Sequence, residues 1–272
     1  MKYNKLLFSA IDAALKAGAA IRSIYNDQES DFEVEHKADL TPITIADKKA
    51  HEIIVAKLNA LGYPILSEEG KHFTYSERKH YESVWIVDPL DGTREFIDRN
   101  GEFTVNIAFI VNSKPIIGVI YIPVTKQLYF STPKLGAYVV KGIDSLHNYA
   151  DLRTLMTHSV KLPCKRTENT KSYIVVGSRS HLSDRTKEYI RGLQEKHSNL
   201  EFRAVGSSIK LCFIAEGSAD IYPRFEPTME WDIAAGHAIV EAAGKNIVLV
   251  SDPTKSLVYN KENLYNPWFI VE

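Results

Sequence analysis

The run Trp85-Ile86-Val87-Asp88-Pro89-Leu90-Asp91-Gly92-Thr93 constrains this chain more than any other stretch. An apolar run stops at an acid and then turns through Pro-Leu-Asp-Gly. Proline cannot donate to a strand ladder, and glycine admits backbone conformations closed to other residues. The expectation is a buried strand over 84–87 ending at Asp88, then a tight turn that carries Asp88 and Asp91 toward one point. Two carboxylates converging at a strand end repel unless a cation lies between them. Oxygen-only ligands suit Mg²⁺ rather than Zn²⁺. Alone, Asp-x-x-Asp-Gly reads as a turn with a capping aspartate. A functional reading needs further acids.

Three other places supply them. Glu68 and Glu69 follow a short apolar strand over 64–66, again at a strand end; the plain reading is a solvated pair in a loop. Asp232 follows Trp231 and starts a helix over 232–243, where aspartate is a common N-cap. Asp47 sits at the start of a helix over 47–61, three residues after Thr44, and capping accounts for it equally well.

The rest of the chain divides into two styles. Residues 5–25 place Leu7, Ile11, Ala14, Leu15, Gly18 and Ile21 on one face at helical spacing. Strands over 104–111, 116–122, 128–131 and 137–140 then predict a mostly antiparallel meander. Residues 141–170 are polar and without clear periodicity, a candidate connection. Beyond them strands (173–177, 202–205, 220–222, 247–250) alternate with helices (183–197, 208–216, 232–243), which predicts a mixed sheet with helices packed on it. The expected division is 1–145 and 146–272, forming one compact unit with the site between its halves.

Composition limits the partners. The chain has 272 residues and a net charge of −1, so no global field attracts a nucleic acid polymer or anionic lipid. An anionic substrate must be held by local groups. Cys164 and Cys212 are far apart and form no Cys-x-x-Cys, as expected of free thiols in a reducing compartment. No stretch of 18 apolar residues occurs. The expected location is cytoplasmic; a homodimer and a peripheral association with the inner face of the membrane stay open.

Together, Thr44-Ile45-Ala46-Asp47, Ser67-Glu68-Glu69, the run from Trp85 to Thr93, and Trp231-Asp232-Ile233-Ala234-Ala235-Gly236 resemble the inositol monophosphatase-like family of metal-dependent, lithium-sensitive phosphatases. Further stretches are similar to the CysQ-type 3′(2′),5′-bisphosphate nucleotidases of that family. They are 91–97, 99–108, Ser178-Arg179-Ser180-His181, Gly206-Ser207-Ser208-Ile209-Lys210 and Tyr222-Pro223-Arg224-Phe225. The resemblance implies an α+β, layered αβαβα sandwich of the sugar-phosphatase type. It also implies removal of the 3′-phosphate from adenosine 3′,5′-bisphosphate, and action on its sulfated analogue.

The resemblance further implies two to three Mg²⁺ ions. One would lie on Glu68, Asp88 and the Leu90 carbonyl, a second on Asp88, Asp91 and Asp232, and a third on Glu68 and water. It gives the proton work to Thr93 with Asp47, or alternatively to Glu68. Backbone N–H groups of Gly92 and Thr93 would meet the scissile phosphate, and Lys210, Arg224, Ser207 and His181 would hold the nucleotide. Two alternatives remain at this level. One is an inositol monophosphatase or broad sugar phosphatase with the same ligands; the other is a non-catalytic metal-dependent binding module.

Overall fold

Alternation of apolar side chains along the middle strands builds the frame on which everything else hangs. The computed structural model describes residues 2–29, 31–37, 42–71, 73–164, 172–179 and 182–272. The chain opens with α1 (Lys2–Tyr25), then a short antiparallel pair, β1 (Glu35–His36) and β2 (Pro42–Ile43), and then α2 (Ile45–Asn59). Thr44 caps α2: its hydroxyl accepts from the Ala46 N–H, and the Asp47 carboxylate reaches back to the Thr44 N–H.

There follow β3 (Ile65–Ser67), α3 (Tyr75–Arg78), β4 (Ser83–Asp91), α4 (Thr93–Ile97), β5 (Thr104–Val111), β6 (Lys114–Ile122), β7 (Gln127–Thr132), β8 (Gly136–Lys141), α5 (Leu152–Thr157) and β9 (Val160–Lys161). Among the described residues, β3 to β9 form one sheet in chain order. Only the β3–β4 pair is parallel. In β4, Trp85 and Val87 face α1 and α2, while Val84 and Ile86 face the opposite way. Both faces are covered, which is why this strand reads as a continuous apolar run. The polar stretch over 141–170 contains α5 and β9, so the large sheet extends to Lys161.

The remaining elements are β10 (Tyr173–Ser178), α6 (Asp184–Lys196), β11 (Leu200–Val205), α7 (Ile209–Glu216), β12 (Tyr222–Arg224), α8 (Glu230–Ala242), β13 (Ile247–Leu249) and β14 (Phe269–Val271). β10 and β11 pair in parallel, and β14 lies antiparallel between β12 and β13. A bridge between Val175 and Ile221 links the two groups. The β14 strand has no counterpart in the sequence expectation. Three to four apolar residues at the chain end are too few to show a period.

The layers are α1 and α2, the large sheet, α7 and α8, the second set of strands, and α6. This is the expected αβαβα order. The middle layer is tight. A Cβ on Gly118 of β6 would lie 2.2 Å from the Ala235 carbonyl oxygen of α8, so only glycine lets the helix backbone approach this closely. Among the described residues no helix is long and apolar enough to cross a membrane.

Candidate metal centre and active site

The geometry starts with a bulge. Asp88 pairs with Asn106 and Asp91 with Thr104, so three steps along β4 match two along β5. Residues three apart on a regular strand face opposite sides of the sheet. The one extra residue returns Asp91 to the side of Asp88. This corrects the expectation of a strand ending at Asp88 with a turn beyond it. β4 continues through Pro89 to Asp91, and proline is tolerated because a bulge leaves a position without a ladder bond. Gly92 then takes φ 95°, with its Cβ position only 3.1 Å from the Glu102 carbonyl oxygen. It is the N-cap of α4, so Thr93 is the first helical residue.

Asp88 is buried, and its Oδ1 accepts from the Leu90 N–H at 3.0 Å. Glu68 arrives from the end of the parallel strand β3, its N–H bonded to the Val87 carbonyl. Asp232 comes from α8. The helix begins at Glu230 with Met229 as N-cap, so Asp232 is the third helical residue and not the cap. Its Oδ2 accepts from the Met229 N–H at 2.8 Å, and the residue lines the cavity. Ligand oxygens of Glu68, Asp88 and Asp232 lie within 4.8 Å of one another.

Burial drives the Asp88 carboxyl well above its ordinary range, and repulsion from Glu68, Asp91, Asp232 and Asp47 adds to it. Asp232 is raised by burial and by Asp91 and Glu68. Carboxylates held this close, with oxygen the only donor atom, make a group that can hold a hard metal ion. Without a cation, their assembly works against folding.

Asp91 lies outside that three-acid group, and its Oδ2 is heavily engaged. It accepts from the Ser208 N–H (2.6 Å), the Ser208 hydroxyl (2.8 Å) and Asn106 Nδ2 (3.2 Å). Burial raises its pKa, opposed by Lys210 and by these donors. Sequence reasoning missed Ser208 and Asn106 as supports. Asn106 sits opposite Asp88 in the pairing, and only the pairing reveals it.

Asp47 divides its two oxygens. Oδ2 closes the capping box of α2, and Oδ1 accepts from the Thr93 hydroxyl at 3.0 Å. Capping and a site role are therefore served by the same carboxylate. Burial pushes its pKa up against the opposing hydrogen bonds from Thr44 and Thr93.

Glu68 and Glu69 are not a solvated pair. Lys37 bridges them, at 2.7 Å from Glu68 Oε1 and 2.5 Å from Glu69 Oε1. Burial lifts Glu69 to about 7. Burial alone would lower the Lys37 ammonium, but the two glutamates hold it above its ordinary value. Nothing in the sequence marked Lys37, which lies some thirty residues from its partners in an otherwise polar run.

A cavity of about 850 Å³ opens over this cluster, lined by Glu68, Asp88, Asp91, Thr93, Lys210, Arg224 and Asp232 among others. Lys210 is buried on α7, its Nζ donating to the Val205 (3.0 Å) and Ser207 (2.6 Å) carbonyls. Burial pushes its ammonium down to about 8, Asp91 opposes this, and Arg224 reinforces it. Arg224 donates through Nη2 to the Pro227 carbonyl, while its Nε and the Ser207 hydroxyl have no hydrogen-bond partner among the described residues. Ser207 has φ 47°, a left-handed backbone unusual outside glycine. His181 lies outside the described residues.

Comparison with known proteins follows the same lines. The profile of the inositol monophosphatase family matches residues 2–267. The chain is 40% identical over 270 residues to the 3′(2′),5′-bisphosphate nucleotidase CysQ of Salmonella typhimurium, covering 98% of this chain and 99% of that protein. The same holds for its counterpart in Escherichia coli. The crystal structure of CysQ from Bacteroides thetaiotaomicron is 53% identical, with a TM-score of 0.92 over 99% of this chain and 97% of the other. The inositol monophosphatase of Anabaena superposes with a TM-score of 0.70, over 100% of this chain and 91% of the other, at 21% identity; this shows a common fold.

Proposed function

The chain belongs to the inositol monophosphatase family, and we infer that within it the chain is a 3′(2′),5′-bisphosphate nucleotidase. It removes the 3′-phosphate of adenosine 3′,5′-bisphosphate to give AMP and phosphate, and it acts on the sulfated analogue. The observation that carries this is the 40% identity to bisphosphate nucleotidases along essentially the whole chain. The cavity lining supports it. Lys210 and Arg224 add positive charge beside the acids, as a substrate with a second anionic end requires.

Magnesium is the metal we assign, on Glu68, Asp88, Asp91, Asp232 and the Leu90 carbonyl. When bound it neutralises the non-bridging phosphate oxygens and lowers the pKa of the attacking water. The protein's own groups do the rest. Thr93 donates its hydroxyl hydrogen to Asp47, so its lone pairs are left to accept a hydrogen bond from water. As the water attacks phosphorus and the P–O3′ bond breaks, the water's proton passes to Thr93 Oγ1 while the Thr93 hydrogen moves to Asp47 Oδ1, and the departing 3′-oxygen takes a proton from solvent to become the 3′-hydroxyl of AMP. The raised Asp47 pKa makes that carboxylate a better acceptor. Backbone N–H groups of Gly92 and Thr93 orient the scissile phosphate. Lys210, Arg224 and Ser207 hold the nucleotide, with His181 as a further contact.

The test is kcat/KM with Mg²⁺ for adenosine 3′,5′-bisphosphate against inositol 1-phosphate. The nucleotide is expected to be preferred by at least a hundredfold. A preference for inositol 1-phosphate would instead make the chain an inositol phosphatase with the same metal chemistry.

A further inference from the structure

A second hollow adjoins the catalytic cavity. It measures about 510 Å³ and is lined by Pro227, Asn263, Tyr265, Asn266, Pro267 and Trp268. Pro227 and Tyr265 line both cavities, so the two spaces meet at these residues. Its walls are aromatic rings and prolines. The polar side chain most deeply placed there is already committed. Asn266 is buried, with Nδ2 donating to the Thr228 hydroxyl and the Met229 carbonyl.

Tyr265 is the unusual member. The residue is 55% exposed, and among the described residues no ring, cation or hydrogen bond engages its side chain. Yet its backbone is fixed. Tyr265 forms an antiparallel bridge with Met229, the Glu230 N–H donates to the Leu264 carbonyl (3.0 Å), and the Asn266 N–H donates to the Thr228 carbonyl (2.7 Å). An exposed ring on an anchored backbone loses little entropy when a flat partner covers it. Trp268 is backed differently: the Arg185 guanidinium lies 4.5 Å from its ring centroid and Phe225 6.2 Å away.

The placement relative to the metal centre sets the occupant. Met229 is the N-cap of the helix whose third residue is Asp232. An antiparallel pair spans about 5 Å between Cα atoms, and three helical residues rise about 4.5 Å. Tyr265 therefore stands no more than about 10 Å from the ligand helix position. A ribose together with its 3′-phosphate fits within such a gap, with the phosphate toward the acids and the glycosidic bond on the far side. We propose that this hollow is the base subsite, and that Tyr265 is the ring on which the purine of a nucleoside bisphosphate stacks.

This rests on the nucleotidase reading and deepens it. Recognition through a ring face lowers KM without touching the reacting atoms, so loss of the ring should leave kcat alone. Tyr265→Leu is expected to raise KM for adenosine 3′,5′-bisphosphate roughly tenfold, within the range for base–aromatic stacking. kcat should stay within about twofold, and Tyr265→Phe should behave as the unmodified protein.

The control substrate is the base-free analogue, in which a tetrahydrofuran ring carries the same two phosphates. Its KM should not respond to either substitution. Equal changes for both substrates, or none for the nucleotide, would overturn the subsite and leave the nucleotidase reading standing. Failure of the unmodified protein to turn over either bisphosphate, alongside turnover of inositol 1-phosphate, would instead remove the nucleotidase reading and the subsite with it.

Discussion

Lys210 offers a measurement in which the structure sets the size of the effect. Its ammonium is buried and held down to about 8, whereas a surface lysine titrates near 10.4. If the protonated form holds the anionic end of the nucleotide, kcat/KM follows the protonated fraction of the free enzyme. With a pKa of about 8 that fraction falls from about 90% at pH 7 to about 9% at pH 9. The expected loss in kcat/KM is thus about tenfold, where a surface lysine would lose almost nothing.

The direction of any correction is also fixed. Asp91 raises the Lys210 pKa, and a cation on Asp91 cancels that support. The midpoint then moves below 8, and the loss between pH 7 and pH 9 exceeds tenfold. The assay is kcat/KM from pH 6.5 to 9.5 with saturating Mg²⁺, as a ratio of adenosine 3′,5′-bisphosphate to p-nitrophenyl phosphate. The ratio cancels titrations of the metal centre common to both substrates. Lys210→Arg carries a charge that does not titrate in this range, and its ratio should stay flat. A flat ratio in the unmodified protein, or the same fall in Lys210→Arg, would refute the assignment of Lys210 to the nucleotide.

Two further outcomes follow from the carboxylates. Asp88, Asp91 and Asp232 all have folded-state pKa values above the ordinary aspartate value. The folded chain therefore keeps protons that the unfolded chain has released, and stability falls as pH rises from about 4 through the raised values. In chelator the melting temperature should be lower at pH 8 than at pH 5.5. Mg²⁺ at a hundred times its Kd should restore about 2.7 kcal/mol at the higher pH, and a melting curve indifferent to both pH and Mg²⁺ would contradict the cluster. For the proton relay, Thr93→Val should lower kcat about a hundredfold with KM little changed, while Thr93→Ser retains activity. A Thr93→Val enzyme with normal turnover would pass the base role elsewhere.

Much of the frame was legible because it depends on local pattern. The antiparallel strands β5 to β8 and the face of α1 were read from spacing alone, within two or three residues at each end. The bulge was not legible. Pro89 and Gly92 both suggested a turn, since a proline inside a paired strand is rare; the pairing of Asp91 with Thr104 overrode that local signal. The cap of this helix was placed at Asp232, three positions beyond Met229, because Glu230 and Trp231 carry no mark of the helix start. The acids themselves were visible only as a set, each having a plain structural explanation alone. Asn106, Ser208 and Lys37 stayed invisible for another reason. Their partners lie 15, 117 and 31 residues away, and no periodicity encodes such distances.

Ser208 shows why the site needs both styles of architecture in one chain. Its hydroxyl lies 2.8 Å from Asp91 Oδ2 and 2.7 Å from the Asp232 carbonyl oxygen, and it accepts from Asn106 Nδ2 at 2.9 Å. A hydroxyl has one hydrogen to give, so it serves one oxygen at a time and keeps the other within reach. Strand β4, strand β5 and helix α8 are thus brought into register by a residue at the start of α7. Lys210, two positions later, answers the same aspartate through charge. Opposing effects meet here: burial raises the carboxyl pKa, while the ammonium and the neutral donors lower it. A structure that held Asp91 by charge alone would neutralise it and leave nothing for a cation. Neutral donors on one oxygen orient the carboxylate while preserving its negative charge for the metal.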